Sequence, residues 1–518
     1  MKKQHLYPLI CTLVLMTTSI VFSLSKVSIA YMDAAIGIDR LPKISPNYSG
    51  AVIPSNIAPL NFQIHEKGLA YLVNLHSKNG RNIKIKSKSS KIIIPGGKWR
   101  KLLDTNRGQD LVVDICLKDE DNNWIRFQSI VNHIAEEEID PYVVYRKIHP
   151  SHNTWRAMGL YQRNMTNFNE SPVLKNDKYK WGCAHCHNFN NNLPDKIAIG
   201  VRSGDYKSCV LVVDGNAKRL NQVYKLNKKF GFTSWHPSGK LFACTINDPP
   251  LVLHTSKNEM RDIVDVDSWI GYYVLGTDVV KTIPQLSQKD WLENYPTWSP
   301  DGKYLYFTNT RKLWEKIETL PPEHFNDSKY NLYRISYDID TDKWGEVEPI
   351  LLSEETGLSL NQPRVSPDGK WITFSLCEYS CWPSYHPDSD LYILDLQKTE
   401  ATGKAQYRKM EVSSTECESW HSWSSNSKWI LFSSKKNNPL FNRTYITYVY
   451  EDGSLGKAFV LPQKDPAFYD GDLNTYTIPE LVSEPVHHTG ETLAKVIRNP
   501  KTVDLDMPIT GASPGIQN

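Results

Sequence analysis

The sequence predicts an all-β protein. An N-terminal antiparallel β-sandwich is followed by a β-propeller of five to six blades, with a short helical and loop connector carrying C-x-x-C-H between them. Three observations predict this. Residues 46–136 alternate apolar and polar positions with a period of two. Residues 196–470 repeat a four-strand pattern. Residues 137–195 follow neither rule. At 518 residues the chain exceeds one ordinary core, and a composition of 40% hydrophobic and 23% charged residues is that of a globular protein. Sixty basic residues against 57 acidic ones leave a formal charge of +3, which gives no electrostatic footprint for nucleic acid.

Residues 1–30 read as a signal peptide or an N-terminal membrane anchor. Lys2 and Lys3 precede the apolar run "LYPLICTLVLMTTSIVFSL", and Ser28 and Ala30 set up a cut before Tyr31. The alternative is an uncleaved anchor, since the run approaches bilayer-spanning length. Both readings export the body of the protein to the periplasm or cell envelope. Eight of the nine cysteines then lie in a compartment that permits disulfides. Cys377 and Cys381, in "CEYSCWPSYHP", are one candidate pair in a long aromatic loop that could also form a partner-contacting rim. Cys116, Cys209, Cys244 and Cys417 are isolated and read as buried thiols.

In the sandwich, "LAYLVNLHS", "NIKIKSKS", "KIIIPGG" and "LVVDICLKDEDNNWIRFQSIV" are short strands broken by turn residues. In the connector, "TWRAMGLYQRNMTNF" places Trp155, Met158, Leu160, Tyr161 and Met165 at helical spacing, so a short helix is expected there. Four propeller segments share one strand–turn–strand motif: "WHPSGKLFACTIN" from 235, "WSPDGKYLYFTNT" from 298, "VSPDGKWITFSLC" from 365 and "WSSNSKWILFSSK" from 423. Pro300 and Pro367 preset φ for the turn, and Gly302 and Gly369 supply its left-handed position. A second strand pair follows each motif, which makes four strands per repeat. A fifth unit, "KIAIGVRSGDYKSCVLVVDGNAKRL", lacks the turn motif, and Asn426 and Ser427 depart from Asp-Gly in the last repeat. Residues 471–518 read as a loose tail.

"YKWGCAHCHNFNNN" carries the chemistry. Cys183 and Cys186 have the spacing of thiols that attach haem c, with His187 placed as an iron ligand. A Cys183–Cys186 disulfide, a zinc site completed by His185 or His187, and a plain pair of buried thiols compete with that reading. Met158, Met165, His149, His152 and His236 are candidates for the distal ligand, each with a structural alternative. His149 and His152 could also touch a metal from a solvated loop. No nucleophile-elbow, zincin, Walker or dinucleotide signature is present. Carboxylates that a propeller hydrolase could use include Asp214, Asp278, Glu293, Asp338 and Glu418, but no spacing rule selects a pair.

The S-P-D-G-K repeats resemble those of TolB-like propellers. The wider arrangement is similar to exported Bacteroidetes cytochrome c-like and TolB-like proteins: "IPSNIAPLNF", "YVVYR…GLYQRNMTNFNESP", "CAHCHNF", then the propeller. The resemblance covers nearly all of the chain beyond residue 30. It implies an envelope protein with a protein or redox partner and possible membrane association through the N-terminal segment. Two functions follow as expectations. One is a monohaem electron carrier with haem on Cys183 and Cys186 and His187 on iron. The other is a non-enzymatic interaction module in which the cysteines form a disulfide or metal clip.

Overall fold

The computed structural model describes residues 34–149, 157–203, 207–221, 229–247, 251–252, 262–277, 279–314, 318–319 and 321–499. The N-terminal segment, His152, Trp155 and Asp278 lie outside them, as do the side chains of His185 and Cys209. No helix among the described residues is long and apolar enough to cross a membrane. The chain forms two compact units, residues 1–138 with 462–472, and residues 139–461 with 473–518.

The first unit has a seven-stranded sheet built on the nine-residue strand Asp110–Lys118, and a three-stranded sheet of Ile44–Ser45, Phe62–Ile64 and Lys91–Ile92. The seven-stranded sheet is mixed rather than purely antiparallel. Ile36–Gly37 runs parallel to Trp124–Arg126, and Val52–Ile53 parallel to Ile130–Ile134. A helix, Gly96–Thr105, buries Trp99, Leu102 and Leu103, and the Trp99 indole N–H donates to Ile57 O at 2.9 Å.

The second unit contains six four-stranded antiparallel sheets among the described residues, a propeller-like all-β arrangement. Their inner strands, numbered in chain order, are β1 (Cys183–Asn190), β2 (Lys229–Trp235), β3 (Trp291–Trp298), β4 (Ser359–Val365), β5 (Glu418–Trp423) and β6 (Thr475–Val482). Each inner strand packs on the next, and β6 packs on β1, so the cycle closes. β6 belongs to a sheet whose other three strands come from the start of the unit: Tyr142–Ile148, Met158–Asn164 and Glu170–Lys175. Pairing the two ends of the unit in one sheet leaves no open inner edge.

Two expectations are corrected here. The connector holds no helix over Met158–Asn164; that segment is a strand, and Cys183 opens an inner strand rather than ending a loop. Apolar spacing over so few residues fits either period, and cross-strand partners decide which is used. Gly159 leaves room for the neighbouring strand: a Cβ there would sit 2.9 Å from Leu174 O. Within the expected tail, Thr475–Val482 is a completely buried strand, and Glu491–Arg498 is a helix whose Leu493, Ala494 and Ile497 are buried.

The repeated turns are built by their side chains. Asp301 Oδ1 accepts from the Ser299 hydroxyl at 2.6 Å and the Lys303 N–H at 3.0 Å, and Asp368 does the same with Ser366 and Lys370. In the divergent repeat Asn426 Oδ1 takes over, accepting from Ser424 and Lys428, while Ser427 adopts the left-handed φ of 60°. The departure at 426–427 therefore preserves the turn.

Candidate functional site: the axial core and its mouth

Every inner strand breaks register at a corresponding place, and β1 has a second break at Phe189/Asn190. The corresponding breaks lie at His185/His187, Phe230/Thr233, Asn294/Thr297, Asn361/Arg364 and Ser419/Ser422, and for β6 opposite Val144/Arg146. Each is a β-bulge, and in five strands its first residue is left-handed: Cys186 (φ 37°), Tyr295 (48°), Gln362 (56°), Trp420 (50°) and Ile478 (54°). The residue after it is His187, Pro296, Pro363, His421 or Pro479. Proline is tolerated at a bulge because no ladder N–H is required of it. Cys186-His187 thus holds the place that Tyr295-Pro296 and Ile478-Pro479 hold in other strands.

The bulge residues fill the axis. Cys186, Tyr295, Trp420 and Ile478 form one buried cluster with Phe232 and Trp382 against it. Phe232 stacks on Tyr295 at 3.9 Å, and Trp382 meets Trp420 edge-on at 5.1 Å. Trp382 comes from the "CEYSCWPSYHP" loop, which is not pinned by the expected disulfide. Cys377 and Cys381 are not joined to each other, and the Cys377 thiol donates to Tyr379 O at 2.9 Å. The loop is held instead by the Tyr295 hydroxyl donating to Cys381 O at 2.7 Å and the Cys381 thiol donating to Ile263 O at 3.1 Å.

The residues of C-x-x-C-H are dispersed in this packing. Cys183 lies in a separate buried cluster with Ile148 and Met158, and Cys186 lies in the axial one. Burial pushes the Cys186 thiol up to about 11 and raises that of Cys183, against the opposing pull of Arg146 and Arg202. His187 is 1% exposed, and its Nε2–H donates to Val144 O at 3.2 Å. Burial drives its pKa down to about 3, and Nδ1 has no hydrogen bond. The free space beside Cys186 and His187 is about 20 Å³. Cofactor-sized sites have roughly 300–1,000 Å³. As folded, these residues do not fit a porphyrin. Neither disulfide nor a cluster of three metal-ligating side chains occurs among the described residues.

Of the distal candidates among the described residues, only Met158 is brought to the motif, through Cys183. His236 is a turn residue, with Nδ1 against the Ser238 hydroxyl and Nε2 donating to Gly302 O. Met165 is buried where its N–H meets Pro141 O, and His149 pairs through its backbone N–H with Ala157 O. Among the described residues the candidate carboxylates do not converge. Asp338 caps a turn through Thr341, Glu418 accepts from Ser414 and Ser434, and Glu293 is buried without a hydrogen bond and raised well above the carboxylate range by burial.

The site that the sequence did not reveal lies one step further along the inner strands. The second residue after each bulge is Asn188, Ser234, Thr297, Arg364, Ser422 or Glu480, one per strand. All six line a cavity of about 390 Å³ at the turn end of the axis. Pro237, Pro300 and Pro367 from the repeated turns surround its opening. Arg364 Nη2 donates to Glu480 Oε1 at 3.0 Å. Glu480 Oε2 also accepts the Phe189 N–H at 3.3 Å, and burial raises the carboxyl against the pull of Arg364. A signal was present in the sequence: Ser234, Thr297, Arg364 and Ser422 each immediately precede the first residue of a repeated turn motif. Beyond Asn188, the asparagines of "HNFNNN" build the hairpin and its contacts. Asn191 and Asn192 take left-handed φ in the tight hairpin, and the Asn190 and Asn191 amides donate to His236 O and Pro237 O of the next sheet.

No family model matches the chain, and no curated protein matches it. Solved structures similar to it include prolyl oligopeptidase B from Galerina marginata (15% identity, 60% of this chain and 42% of that one, TM-score 0.34). Puromycin hydrolase is similar at 12% identity over 61% of this chain and 45% of that one, TM-score 0.35. The Myceliophteria thermophila Cps50 (Swd1) β-propeller domain is similar at 12% identity over 54% of this chain and 88% of that one, TM-score 0.29. The chain thus spans less than half the length of the two hydrolases. Likeness at this level says nothing about activity.

Proposed function

We propose that this protein is an exported, non-enzymatic binding module of the cell envelope, a six-bladed TolB-like propeller that engages another envelope component through its axial mouth. The N-terminal basic and apolar segment supports export, and the closed cycle of six inner strands supports six blades. The observation that carries the reading is the mouth: a cavity of about 390 Å³ ringed by one polar residue from each inner strand. That volume lies within the range of small-ligand sites. Buried catalytic groups that the sequence singled out do not converge on it. The electron-carrier reading is the weaker of the two, because Cys186 and His187 serve as a bulge and are packed without space for haem.

A photo-crosslinking residue at the exposed mouth position Pro300 tests this, with Asp340 at an outer turn as the control. In the protein's own cells, adducts should form from position 300 and not from 340. Equal labelling from both positions would remove the mouth from the proposal. A haem stain that survives denaturation, in a host that matures c-type cytochromes, would restore the electron-carrier reading.

A further inference from the structure

We infer that the mouth is a binding site for a neutral carbohydrate, a mono- or disaccharide unit, held chiefly by Arg364 and Thr297; this rests on the reading of the mouth as the binding site. The charges in the ring cancel. Arg364 and Glu480 form the one ion pair among the six ring residues, and the other four are Asn, Ser, Thr and Ser. An ionic ligand would bring an uncompensated charge into a partly desolvated cup.

The unused hydrogen-bonding capacity then defines the ligand. Both Glu480 oxygens already accept, one from Arg364 and the other from the Phe189 N–H. The Ser422 hydroxyl donates to Pro479 O, and Ser234 Oγ accepts the Trp298 N–H. Arg364 uses one guanidinium nitrogen on Glu480, and its remaining N–H groups bond to none of the described residues. The Thr297 hydroxyl likewise has no partner among them. The cavity therefore offers a fork of donors on β4 and, on the neighbouring inner strand β3, a hydroxyl that both donates and accepts. A pair of neighbouring sugar hydroxyls matches that set without adding charge. Below the ring, the aromatic plug of Phe232, Tyr295 and Trp420 closes the axis, so the cup suits a compact unit rather than a chain threaded through.

The experiment uses the full chain and a panel of glucose, galactose, mannose, N-acetylglucosamine, cellobiose and lactose. Glucuronate and tetra-alanine are comparators. Saturation-transfer NMR screens the panel, and calorimetry measures affinity. At least one neutral sugar should bind, and Thr297→Val should weaken it about fivefold or more with the melting temperature unchanged. Arg364→Lys, which keeps the charge opposite Glu480 but loses the fork, should weaken it further. No binding by any neutral sugar, binding unchanged in Thr297→Val, or binding of glucuronate or tetra-alanine in their place would overturn the assignment. If crosslinking from position 300 persists while the sugars fail, only the ligand class falls. If crosslinking from that position also fails, the mouth reading falls with it.

Discussion

Cys186 and Tyr295 hold the same place in their respective inner strands, both left-handed, at φ 37° and 48°, and both packed in the axial cluster. One is the second cysteine of a C-x-x-C-H motif and the other precedes a proline. Their equivalence makes the motif part of the repeated inner-strand bulge. Cys186→Ala, which keeps the bulge and removes only the sulfur, should fold and lose no more than about 1–2 kcal/mol by urea denaturation. Collapse of that variant would mean the cysteine has a role the other strands do not share.

Trp420 carries more of the plug than Cys186. It is buried against Phe232, Tyr295 and Trp382. Trp420→Ala should cost roughly 3–5 kcal/mol in equilibrium unfolding. A loss under about 1 kcal/mol would show that the axis is not tightly packed.

Arg364→Ala strands the buried Glu480 carboxylate. Arg364 is 25% exposed at its side chain and Glu480 9%. The expected loss is roughly 2–4 kcal/mol, the partial exposure keeping it at or below the usual figure for breaking a buried pair. The pH sign follows from burial raising Glu480 above its unfolded value. Stability then falls as pH rises through the folded pKa, and removing Arg364 steepens that fall. The loss should therefore shrink in acid, and Glu480→Gln combined with Arg364→Ala should abolish the trend.

His187 and His421 are both held down to about 3 by burial, below the unfolded value of 6.5. The unfolded chain binds protons that the folded chain refuses, so stability is full above about pH 6.5 and declines as pH falls toward 3. His187→Gln should flatten part of this acid decline. An unchanged slope in urea titrations between pH 4 and 7 (a window of roughly the two pKa values) would contradict the buried, neutral imidazole.

Gly302 and Gly369 occupy the same turn position with φ of 72° and 73°, yet differ in surroundings. A Cβ at 302 would lie 2.3 Å from His236 Nε2, whereas at 369 the nearest atom is 4.0 Å away. Both alanine variants carry the left-handed strain, on the order of 1 kcal/mol. Gly302→Ala should cost at least about 1 kcal/mol more, through the clash with His236.

Sequence periodicity and the S-P-D-G-K turns were enough to predict an all-β chain with a four-strand repeat, because a period of two and a turn that needs left-handed φ are local properties. Partnership was not local. Thr475–Val482 has the composition of an ordinary tail, and only pairing with Tyr142–Ile148 makes it the sixth inner strand. Met158–Asn164 looked helical until strands on both sides fixed its hydrogen bonds. The spacing of Cys183, Cys186 and His187 is a sequence fact, but burial and the bulge decide what it does: they send the two thiols into different clusters and tie the imidazole to Val144. The mouth is the extreme case. Its six ring residues are spread from 188 to 480, span five residue types, and meet only because the bulged inner strands turn the same position of each toward one axis.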